Sequence, residues 1–180
     1  MIKIIGGIYR SRVIQTPISD TLPSKNMVRG AMISALGRGI EDARVLDLFA
    51  GSGALGIEAL SQGASYCDFV DLAREAVKVI EGNLKTLKEN RAKVHCASYE
   101  SFLQNYAGEP YDIVFIDPPY RMKESYQQAL SLLINKKMLT ESSCIILEYE
   151  GEIEVDVAPF KEVRDYKYGK TKVRLLRGLL

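Results

Sequence analysis

Short apolar runs alternate with helical stretches along most of the chain after Arg44. The apolar runs cover residues 45–49, 66–70, 93–96, 113–116 and 144–147, and the helical stretches cover residues 55–62, 74–89, 99–106 and 124–135. Strands that are buried on both faces of a parallel sheet have such continuous apolar sequences. The pattern predicts a doubly wound, Rossmann-like α/β fold, whose ligands bind at the carboxyl ends of the strands.

The N-terminal segment predicts a small extension of this sheet domain. Residues 2–5 and 12–15 are β-prone runs around a pair of glycines and predict a β-hairpin. A polar, proline-containing loop over residues 16–23 follows, and Ser24 is placed to cap a helix that Gly37 ends.

The C-terminal segment predicts a second hairpin. Residues 162–168 and 172–176 flank a turn at Tyr168-Gly169, and this antiparallel pair would close the edge of a seven-stranded sheet. We expect one domain over residues 1–180. In it, residues 1–38 would lie on the substrate side of a catalytic core formed by residues 39–180.

The composition is that of an ordinary globular protein, with 47% hydrophobic and 26% charged residues. Its three cysteines, Cys67, Cys96 and Cys144, are far apart, and none belongs to a C-x-x-C pair of the kind found in zinc and redox sites. No apolar run approaches the roughly 18 residues of a membrane-spanning helix, and the first residues lack the apolar core of an export signal. We expect a cytoplasmic monomer with reduced cysteines, no metal ion and no membrane contact.

The charge is unevenly distributed, although the net charge is only +1. Residues 1–38 hold six basic residues and one acidic residue, and residues 161–180 hold seven basic and two acidic residues, so each end carries +5 and the middle carries −9. Basic ends of this kind favour contact with a polyanion. By charge and position, the candidate phosphate contacts are Arg10, Arg12, Lys25, Arg29 and Lys170.

A glycine-rich segment follows the first predicted strand of the sheet. Residues 47–56 read D-L-F-A-G-S-G-A-L-G, which contains the spacing G-x-G-x-x-G, and Asp71 ends the second predicted strand, 20 residues after Gly51. Glycines let the backbone approach a ligand closely, and a carboxylate at this spacing accepts hydrogen bonds from ribose hydroxyls. The segment predicts a nucleoside site.

Two classes of cofactor satisfy this pattern. A dinucleotide such as NAD places a pyrophosphate at the helix N-terminus, whereas S-adenosylmethionine carries no phosphate and places its methionine part over the glycine turn. Asp47, directly before the turn, would repel a pyrophosphate but can meet an ammonium group, either directly or through water. The pattern therefore favours S-adenosylmethionine.

A second motif, Asp117-Pro118-Pro119-Tyr120, follows the fourth predicted strand. An exocyclic amine of a nucleobase is a poor nucleophile because its lone pair is delocalised into the ring. The Asp117 carboxylate and the Pro118 carbonyl could hold the two N–H groups and turn the lone pair toward a methyl sulfonium, with the two prolines fixing the backbone. Tyr120 could stack on a base that has left its helix. Such a transfer depends mainly on positioning and requires no metal ion.

These two motifs and both ends of the chain resemble one known family. The motifs are similar to those of amino-methyltransferases that act on adenine N6, guanine N2 or cytosine N4. Within that group the chain resembles the RsmD family of bacterial 16S rRNA guanine-N2 methyltransferases over essentially its full length. Besides the two motifs, the resemblance rests on the I-G-G start at residues 5–12, on Glu58-Ala59-Leu60, and on Y-G-K-T-K at residues 168–172.

The resemblance implies a class I methyltransferase fold and transfer of a methyl group from S-adenosylmethionine to guanine N2 in 16S rRNA or the small ribosomal subunit. It implies catalytic roles for Asp117, Pro118, Pro119 and Tyr120. The implied cofactor contacts are Asp47, Ala50, Gly51, Ser52, Gly53, Asp71, Leu72, Ser98 and Tyr99.

Three positions depart from the family pattern. Leu22 stands where the family usually has Arg, and Gly30 stands where it has Glu. Ser98 stands where the family tends to have Asp or Asn to meet the adenine amine, and a hydroxyl is a weaker substitute. These departures concern the cofactor loop and the adenine pocket rather than the chemistry of methyl transfer.

Other functions remain alternatives at this stage. A DNA adenine or cytosine methyltransferase would share the residue 117–120 motif, but no segment is long enough for a target-recognition domain. An NAD-dependent oxidoreductase would leave that motif unexplained, and a non-catalytic RNA-binding assembly protein would keep the fold without needing Asp117. His95, the only histidine, is expected to be structural, and Glu148, at the end of the fifth predicted strand, is a weaker candidate for the cleft.

Overall fold

A computed structural model describes residues 1–17 and 23–180 of the chain. Two short 3-10 turns, Gly7–Tyr9 and Gly37–Ile40, accompany the main elements. The strands are β1 (Ile2–Lys3), β2 (Val13–Ile14), β3 (Arg44–Leu48), β4 (Tyr66–Asp71), β5 (Ala92–Cys96), β6 (Tyr111–Ile116), β7 (Leu139–Glu150), β8 (Phe160–Tyr168) and β9 (Thr171–Leu179). The helices are α1 (Pro23–Leu36), α2 (Ala54–Ser61), α3 (Arg74–Leu87), α4 (Tyr99–Asn105) and α5 (Ser125–Asn135).

The main sheet has seven strands in the order β5-β4-β3-β6-β7-β9-β8. The first five of these strands are parallel, and β9 pairs antiparallel with both β7 and β8. The strand order reverses at β3, so the crevice between the carboxyl ends of β3 and β6 is the place where a doubly wound sheet binds ligands. The predicted fold class is confirmed, including the C-terminal hairpin and the separate β1–β2 hairpin.

Two apolar layers cover the sheet because side chains along each strand point alternately to its two faces. In β3, for example, Val45 packs in the layer formed with α1, α2 and α3, whereas Leu46 packs in the layer formed with α4 and α5. In β6, Ile113 packs in the same layer as Val45, and Val114 packs in the same layer as Leu46. None of the helices within the described ranges has the length and apolar composition that crossing a membrane requires.

The predicted boundaries are close to the observed ones, with two differences. Strand β7 begins at Leu139 rather than at Cys144, because Leu139 pairs with Tyr111 across a register shift. Helix α1 begins at Pro23, so Ser24 lies within the helix and not before it. Proline is favoured at the first helical position, because the backbone N–H that it lacks would have no acceptor within the helix there. Leu22 and most of the predicted loop before it lie outside the described residues.

Backbone hydrogen bonds to α2 hold the N-terminal hairpin against the sheet domain. The Glu58 carboxylate accepts from Ile5 N at 2.8 Å and from Gly6 N at 3.2 Å, and Ser61 Oγ accepts from Tyr9 N at 3.0 Å. At Gly7, whose φ is +78°, an added Cβ would lie 1.8 Å from the Ser61 carbonyl oxygen. The glycines of the I-G-G segment therefore permit a close backbone approach that a side chain would prevent.

A second anchor of the hairpin is the buried Glu89 carboxylate, which follows α3. It accepts from the Tyr9 hydroxyl at 2.6 Å and from two Arg91 nitrogens at 2.6 and 2.9 Å. Burial alone would raise the pKa of Glu89, but the hydrogen bonds from Arg91 and Tyr9 outweigh it and lower the pKa to about 2. Because this pKa is depressed, the carboxylate stabilises the fold above pH 4.5, and the stabilisation fades as the pH falls toward 2.

Replacing Glu89 by glutamine is expected to destabilise the protein in a pH-dependent way. The lowering of the pKa from 4.5 to about 2 corresponds to about 3 kcal/mol at pH 7, because each pKa unit is worth 1.36 kcal/mol. The gap in unfolding free energy between the wild type and Glu89→Gln should narrow by about 1–2 kcal/mol when urea denaturation is repeated at pH 3. Glu81→Gln, an exposed change on α3, serves as the control. Equal gaps at the two pH values would contradict the proposed role of the Glu89 carboxylate.

His95 belongs to a polar cluster around Asp68, in the middle of β4. The Asp68 carboxylate accepts from Tyr66 Oη at 2.8 Å and Tyr111 Oη at 2.5 Å, and it lies 2.8 Å from His95 Nε2. Arg44 lies 3.8 Å from the same carboxylate. These partners satisfy a buried charge, as a structural cluster requires, so the structural interpretation of His95 agrees with its position.

Candidate active site

A cleft of about 1110 Å³ opens at the carboxyl ends of the parallel strands. Among the residues singled out from sequence, its lining includes Lys25, Arg29, Asp47, Ala50, Gly51, Ser52, Asp71, Leu72, Ser98, Tyr99, Asp117, Pro118, Pro119 and Tyr120. Residues that were not predicted also line it, among them Met1, Phe49, Arg121, Tyr126, Tyr149 and Thr171. The two motifs therefore meet in one cavity although about 60 residues of sequence separate them, because β3 and β6 are neighbours in the sheet.

The glycine turn between β3 and α2 depends on residues with positive φ. Gly51 has φ +58°, and Gly53 has φ +79° and immediately precedes α2. Gly56 lies in α2, where an added Cβ would be 2.3 Å from Phe69 Cε1 and 2.7 Å from Cys67 Sγ. The three glycines thus have distinct functions: two form the turn, and the third allows α2 to pack closely against β4. Gly53 itself supports the cleft without being among its lining residues.

Asp71, at the end of β4, organises the backbone around this turn. One of its carboxylate oxygens accepts from Gly51 N and the other from Ala73 N, both at 2.9 Å. A carboxylate has about four lone-pair sites, so these two bonds leave acceptor capacity on the side of Asp71 that lines the cleft. The geometry suits a ligand with neighbouring hydroxyl groups.

Asp47 lies beneath the turn and is almost completely buried. Its carboxylate accepts from Gly56 N at 3.0 Å and so ties the start of the turn to α2. Burial, the largest cause, raises the pKa of Asp47 to about 8; the bond from Gly56 opposes the shift and the charge of Asp71 adds to it. A cationic group in the cleft would favour the ionised form of Asp47, since an opposite charge stabilises a carboxylate.

Aromatic and apolar side chains form one wall of the cleft. The rings of Phe49 and Tyr99 lie 5.1 Å apart between centroids, and the Tyr99 hydroxyl donates to Gln128 Oε1. Ser98 caps α4 as predicted, because its Oγ accepts from Ser101 N at 3.1 Å. Leu72 is exposed on the side of the cleft. Flat rings and an exposed aliphatic side chain together suit a planar heterocycle.

Asp117 to Tyr120 continue directly from β6. Asp117 is half-buried, Pro118 is buried, and Pro119 and Tyr120 are exposed. Tyr120 is 73% exposed, so its ring is open to contact with a flat group entering the cleft. The chain turns immediately afterwards, where Met122 N donates to the Pro119 carbonyl at 2.8 Å.

Glu148, which sequence reasoning left as a weaker candidate, lies beside Asp117. The two residues leave neighbouring strands at the same level, since Ile116 pairs with Leu147, and both line the cleft. Burial, followed by the charge and hydrogen bond of Glu148, raises the pKa of Asp117 well above its usual range, and the charge of Lys25 opposes this shift. In the sequence, Glu148 is marked only by its position at the end of an apolar strand. Its place beside Asp117 depends on the pairing of β6 with β7.

The five predicted phosphate contacts lie in three places: Lys25 and Lys170 at or beside the cleft, Arg10 and Arg12 on the hairpin, and Arg29 in the interior of the fold. Lys25 lines the cleft, and Lys170 lies in the β8–β9 turn next to the cleft residue Thr171. Arg10 and Arg12 are exposed on the hairpin turn, and Arg12 Nη2 donates to the Thr86 carbonyl near the end of α3. That end of α3 points away from the cleft, since α3 starts at the ligand edge of the sheet. These two arginines therefore do not border the cleft.

Arg29 differs from the other predicted phosphate contacts because its side chain is buried. It donates to the Lys3 carbonyl at 2.9 Å and to Asn26 Oδ1 at 3.0 Å, and it lies 3.5 Å from Glu58 Oε1. A guanidinium held in this way stabilises the contact of α1 with the hairpin and α2. Arg121, which is exposed and lines the cleft, was missed because it follows the motif without belonging to it.

No metal site accompanies these residues in the described part of the chain, where no three His, Cys, Asp or Glu side chains are grouped to hold an ion. All three cysteines are free: Cys67 and Cys144 are buried, and Cys96 is exposed.

Comparison with known proteins gives the family. A family model described as "Conserved hypothetical protein 95" matches residues 2–177. Ribosomal RNA small subunit methyltransferase D of Escherichia coli (strain K12) is 38% identical over 159 residues, which cover 88% of this chain and 79% of that protein. The proposed rRNA methyltransferase YlbH of Bacillus subtilis (strain 168) is 35% identical over 182 residues, which cover 97% of this chain and 98% of that protein. The solved structure of the proposed methyltransferase yhhF of Escherichia coli is 35% identical, with a TM-score of 0.88 and 99% of each chain covered.

This fold and this cleft define a Rossmann-like, class I methyltransferase. The chain is an enzyme of this class. It belongs to the family of conserved hypothetical protein 95, the RsmD family of rRNA methyltransferases.

Proposed function

We propose that the protein transfers a methyl group from S-adenosylmethionine to the exocyclic N2 of a guanine in 16S rRNA. The observation that carries the proposal is the meeting of the glycine turn with Asp117–Tyr120 in one cleft. A nucleoside held at the first motif and a base held at the second would have their reacting atoms side by side, which is the main requirement of a direct transfer.

The residues present in the cleft fit S-adenosylmethionine. This group supplies a methyl carbon on a positively charged sulfur, which is a reactive acceptor for a nitrogen lone pair. Asp71 would accept hydrogen bonds from the ribose hydroxyls, and Phe49 and Tyr99 would bound the adenine. Asp47 would favour the cationic amino acid part, because a nearby positive charge lowers its raised pKa, whereas a pyrophosphate would raise that pKa further and gain no such attraction. This fit argues against the NAD-dependent alternative.

Asp117 and Tyr120 would hold the acceptor base. The Asp117 carboxylate and the Pro118 carbonyl would accept hydrogen bonds from the two N–H groups of the amine, so that its lone pair points into the cleft. Tyr120 is exposed enough to stack on the base, and stacking on an aromatic ring is worth about 1–3 kcal/mol. Pro118 fixes its own φ and Pro119 restricts the ψ of Pro118, so the carbonyl between them stays aimed.

The RNA backbone would lie across the rim of the cleft. Lys25, Arg121 and Lys170 are exposed at or beside the rim and supply positive charge near the base site. We propose that residues 1–38 face the substrate, with Arg10 and Arg12 contacting RNA farther from the base. The names of the relatives in Escherichia coli and Buchnera aphidicola specify the small ribosomal subunit, which supports 16S rRNA or the assembled particle as the substrate.

The test of this function is transfer of labelled methyl from S-adenosylmethionine to three acceptors: unmodified small ribosomal subunits, naked 16S rRNA and duplex DNA. The proposal predicts label in an RNA acceptor and none in DNA. Label in DNA would support the DNA methyltransferase alternative instead. Cofactor binding without transfer to any of the three would contradict the proposed substrate, and RNA binding with neither transfer nor cofactor binding would support an assembly protein.

Replacing Ser98 by aspartate is expected to strengthen binding of S-adenosylmethionine by about fivefold. Aspartate is as good a helix cap as serine, and its second oxygen could accept from the adenine amine, a hydrogen bond worth about 1 kcal/mol. Titration calorimetry would measure the change. Ser101→Asp, on the exposed face of α4, adds the same charge elsewhere and serves as the control. An equal gain for a deaminated cofactor analogue, which lacks that amine, would contradict the explanation.

A further inference from the structure

A group of basic side chains lies at the end of α3, on the side of the molecule away from the cleft. The N-terminal hairpin runs along the last turns of this helix through three contacts: Gln15 N donates to Asn83 Oδ1 at 2.8 Å, Arg12 Nη2 to the Thr86 carbonyl at 3.2 Å, and the Tyr9 hydroxyl to Glu89 Oε2 at 2.6 Å. This packing places basic residues of the hairpin and of the helix at the same end of α3. The exposed members, which we call the hairpin–helix patch, are Arg10, Arg12, Lys85 and Lys88.

The side chains of this patch form no ion pair within residues 1–17 and 23–180. Arg12 donates only to a backbone carbonyl. The Glu89 carboxylate, which follows the helix, is buried and already accepts from Tyr9 and Arg91. The exposed Glu81 lies one helical turn before Lys85 and marks the border of the patch on α3. The patch therefore presents positive charge to solvent without a paired carboxylate.

The basic C-terminal hairpin differs from the patch in this respect. Four of the seven basic side chains in residues 161–180 are paired with a carboxylate: Arg164 and Arg177 with Glu162, Arg174 with Asp165, and Lys172 with Glu152. A cation that is paired within the fold attracts a polyanion less than an unpaired one. Although the two ends of the chain carry equal net charge, the patch keeps its charge available for a ligand.

Lysines near the end of a helix stabilise it through the helix dipole, and this effect accounts for Lys85 and Lys88 by themselves. It does not account for Arg10 and Arg12, which belong to another element and add positive charge where two lysines are already present. Like charges that converge from two packed elements repel each other, so they oppose this packing. Their concentration at one place indicates a ligand of opposite charge.

Helix α3 determines how far the patch lies from the cleft. The helix starts directly after Ala73, which lines the cleft, and its 14 residues give a length of about 21 Å. A ligand that occupies both places must therefore extend well beyond one nucleotide. A folded RNA has the size and the regularly spaced phosphates to do so.

We propose that the hairpin–helix patch binds the phosphate backbone of a segment of the substrate RNA that lies about 20 Å from the methylated base, the length of α3. This inference rests on the proposed function, because it takes the substrate of the cleft to be RNA. Contacts to phosphates fix the register and orientation of a nucleic acid without reading its bases. The two contacts together select RNA whose fold holds the target base and the second segment at this separation.

The test is a variant that removes three charges of the patch, Arg10→Gln/Lys85→Gln/Lys88→Gln. Arg12 is retained because it also binds the Thr86 carbonyl. Filter binding of labelled naked 16S rRNA, without cofactor and over a series of salt concentrations, would give the affinity and its salt dependence. Each lost phosphate contact lowers the slope of log K against log salt by about 0.7–0.9. The slope should fall by about 2–3 in magnitude, and the affinity at low salt should fall roughly 10- to 100-fold.

Two matched variants show whether position and charge cause this loss. Lys136→Gln/Lys137→Gln/Lys161→Gln removes the same charge from exposed positions outside the patch and the cleft, and it should bind RNA like the wild type. Arg10→Lys/Lys85→Arg/Lys88→Arg exchanges the side chains but keeps their charge, so it should keep the wild-type slope. A wild-type slope in the patch variant, or an equal loss in the first matched variant, would overturn the inference.

Methyl transfer separates this inference from the proposed function. With small ribosomal subunits or 16S rRNA as acceptor, the patch variant should have a raised KM for the acceptor rather than a lowered kcat. A raised KM for assembled subunits with unchanged binding of naked rRNA would overturn the assignment to RNA and indicate a protein surface instead. Patch-dependent RNA binding without methyl transfer by the wild type would overturn the proposed function alone. Methyl transfer to RNA with an unchanged salt slope in the patch variant would overturn the inference alone.

Discussion

Replacing Asp117 by alanine is expected to lower kcat for methyl transfer by about 10²–10³-fold, with binding of S-adenosylmethionine unchanged. The magnitude is that of removing one preorganised group which acts on the reacting centre. In this cleft the lost group is the Asp117 carboxyl group after β6, whose oxygens would orient the amine. The proposed cofactor contacts lie around the ends of β3 and β4 and the start of α4 and are not altered by the change.

Asp117→Asn is the sharper companion variant. It keeps the shape and one acceptor oxygen but lacks the charge, so kcat should fall by less than in Asp117→Ala. Single-turnover measurements with saturating RNA would separate the chemical step from RNA binding. If Asp117→Ala lost cofactor affinity instead, or kept kcat, Asp117 would not act on the substrate amine.

Replacing Asp71 by alanine is expected to weaken binding of S-adenosylmethionine by a little over 100-fold. Hydrogen bonds to a charged group are worth about 1.5–3 kcal/mol, and the loss of two ribose contacts gives about 3 kcal/mol, or roughly two factors of ten. The change also frees Gly51 N and Ala73 N, which the carboxylate holds at 2.9 Å. Titration calorimetry with S-adenosylmethionine is the direct measurement.

Two further variants define how the Asp71 result is interpreted. Asp71→Asn keeps one acceptor and should give an intermediate affinity. Glu141→Ala removes an exposed carboxylate at the opposite edge of the sheet and should leave the affinity unchanged. If Asp71→Ala bound the cofactor as tightly as the wild type, the nucleoside could not be bound at the glycine turn.

The parts of the cleft that are continuous in sequence were predictable. The glycine turn, Asp71 and the Ser98 cap follow from local rules, because strand ends, turns and caps depend on residues only a few positions apart. Asp117–Tyr120 was predictable in the same way, and the alternation of strands and helices was enough to bring it to the edge shared with the glycine turn.

The parts that depend on distant pairs were not predictable. Arg29 has the charge of a phosphate contact, but Glu58 and the Lys3 carbonyl bind it inside the fold. Gly30 had no explanation in the sequence, whereas in the structure an added Cβ would lie 3.3 Å from Ile5 Cδ1. The pair of Asp117 with Glu148 depends on the register of β6 and β7, which an apolar pattern alone does not specify.

The identity of the methylated base is the most direct test of the central claim. Small ribosomal subunits or 16S rRNA would be incubated with the protein and isotope-labelled S-adenosylmethionine, digested to nucleosides and analysed by mass spectrometry. The account predicts that the label appears in N2-methylguanosine and disappears when Asp117→Ala replaces the wild type. Label in a methylated adenosine or cytidine, or label that persists in Asp117→Ala, would contradict it.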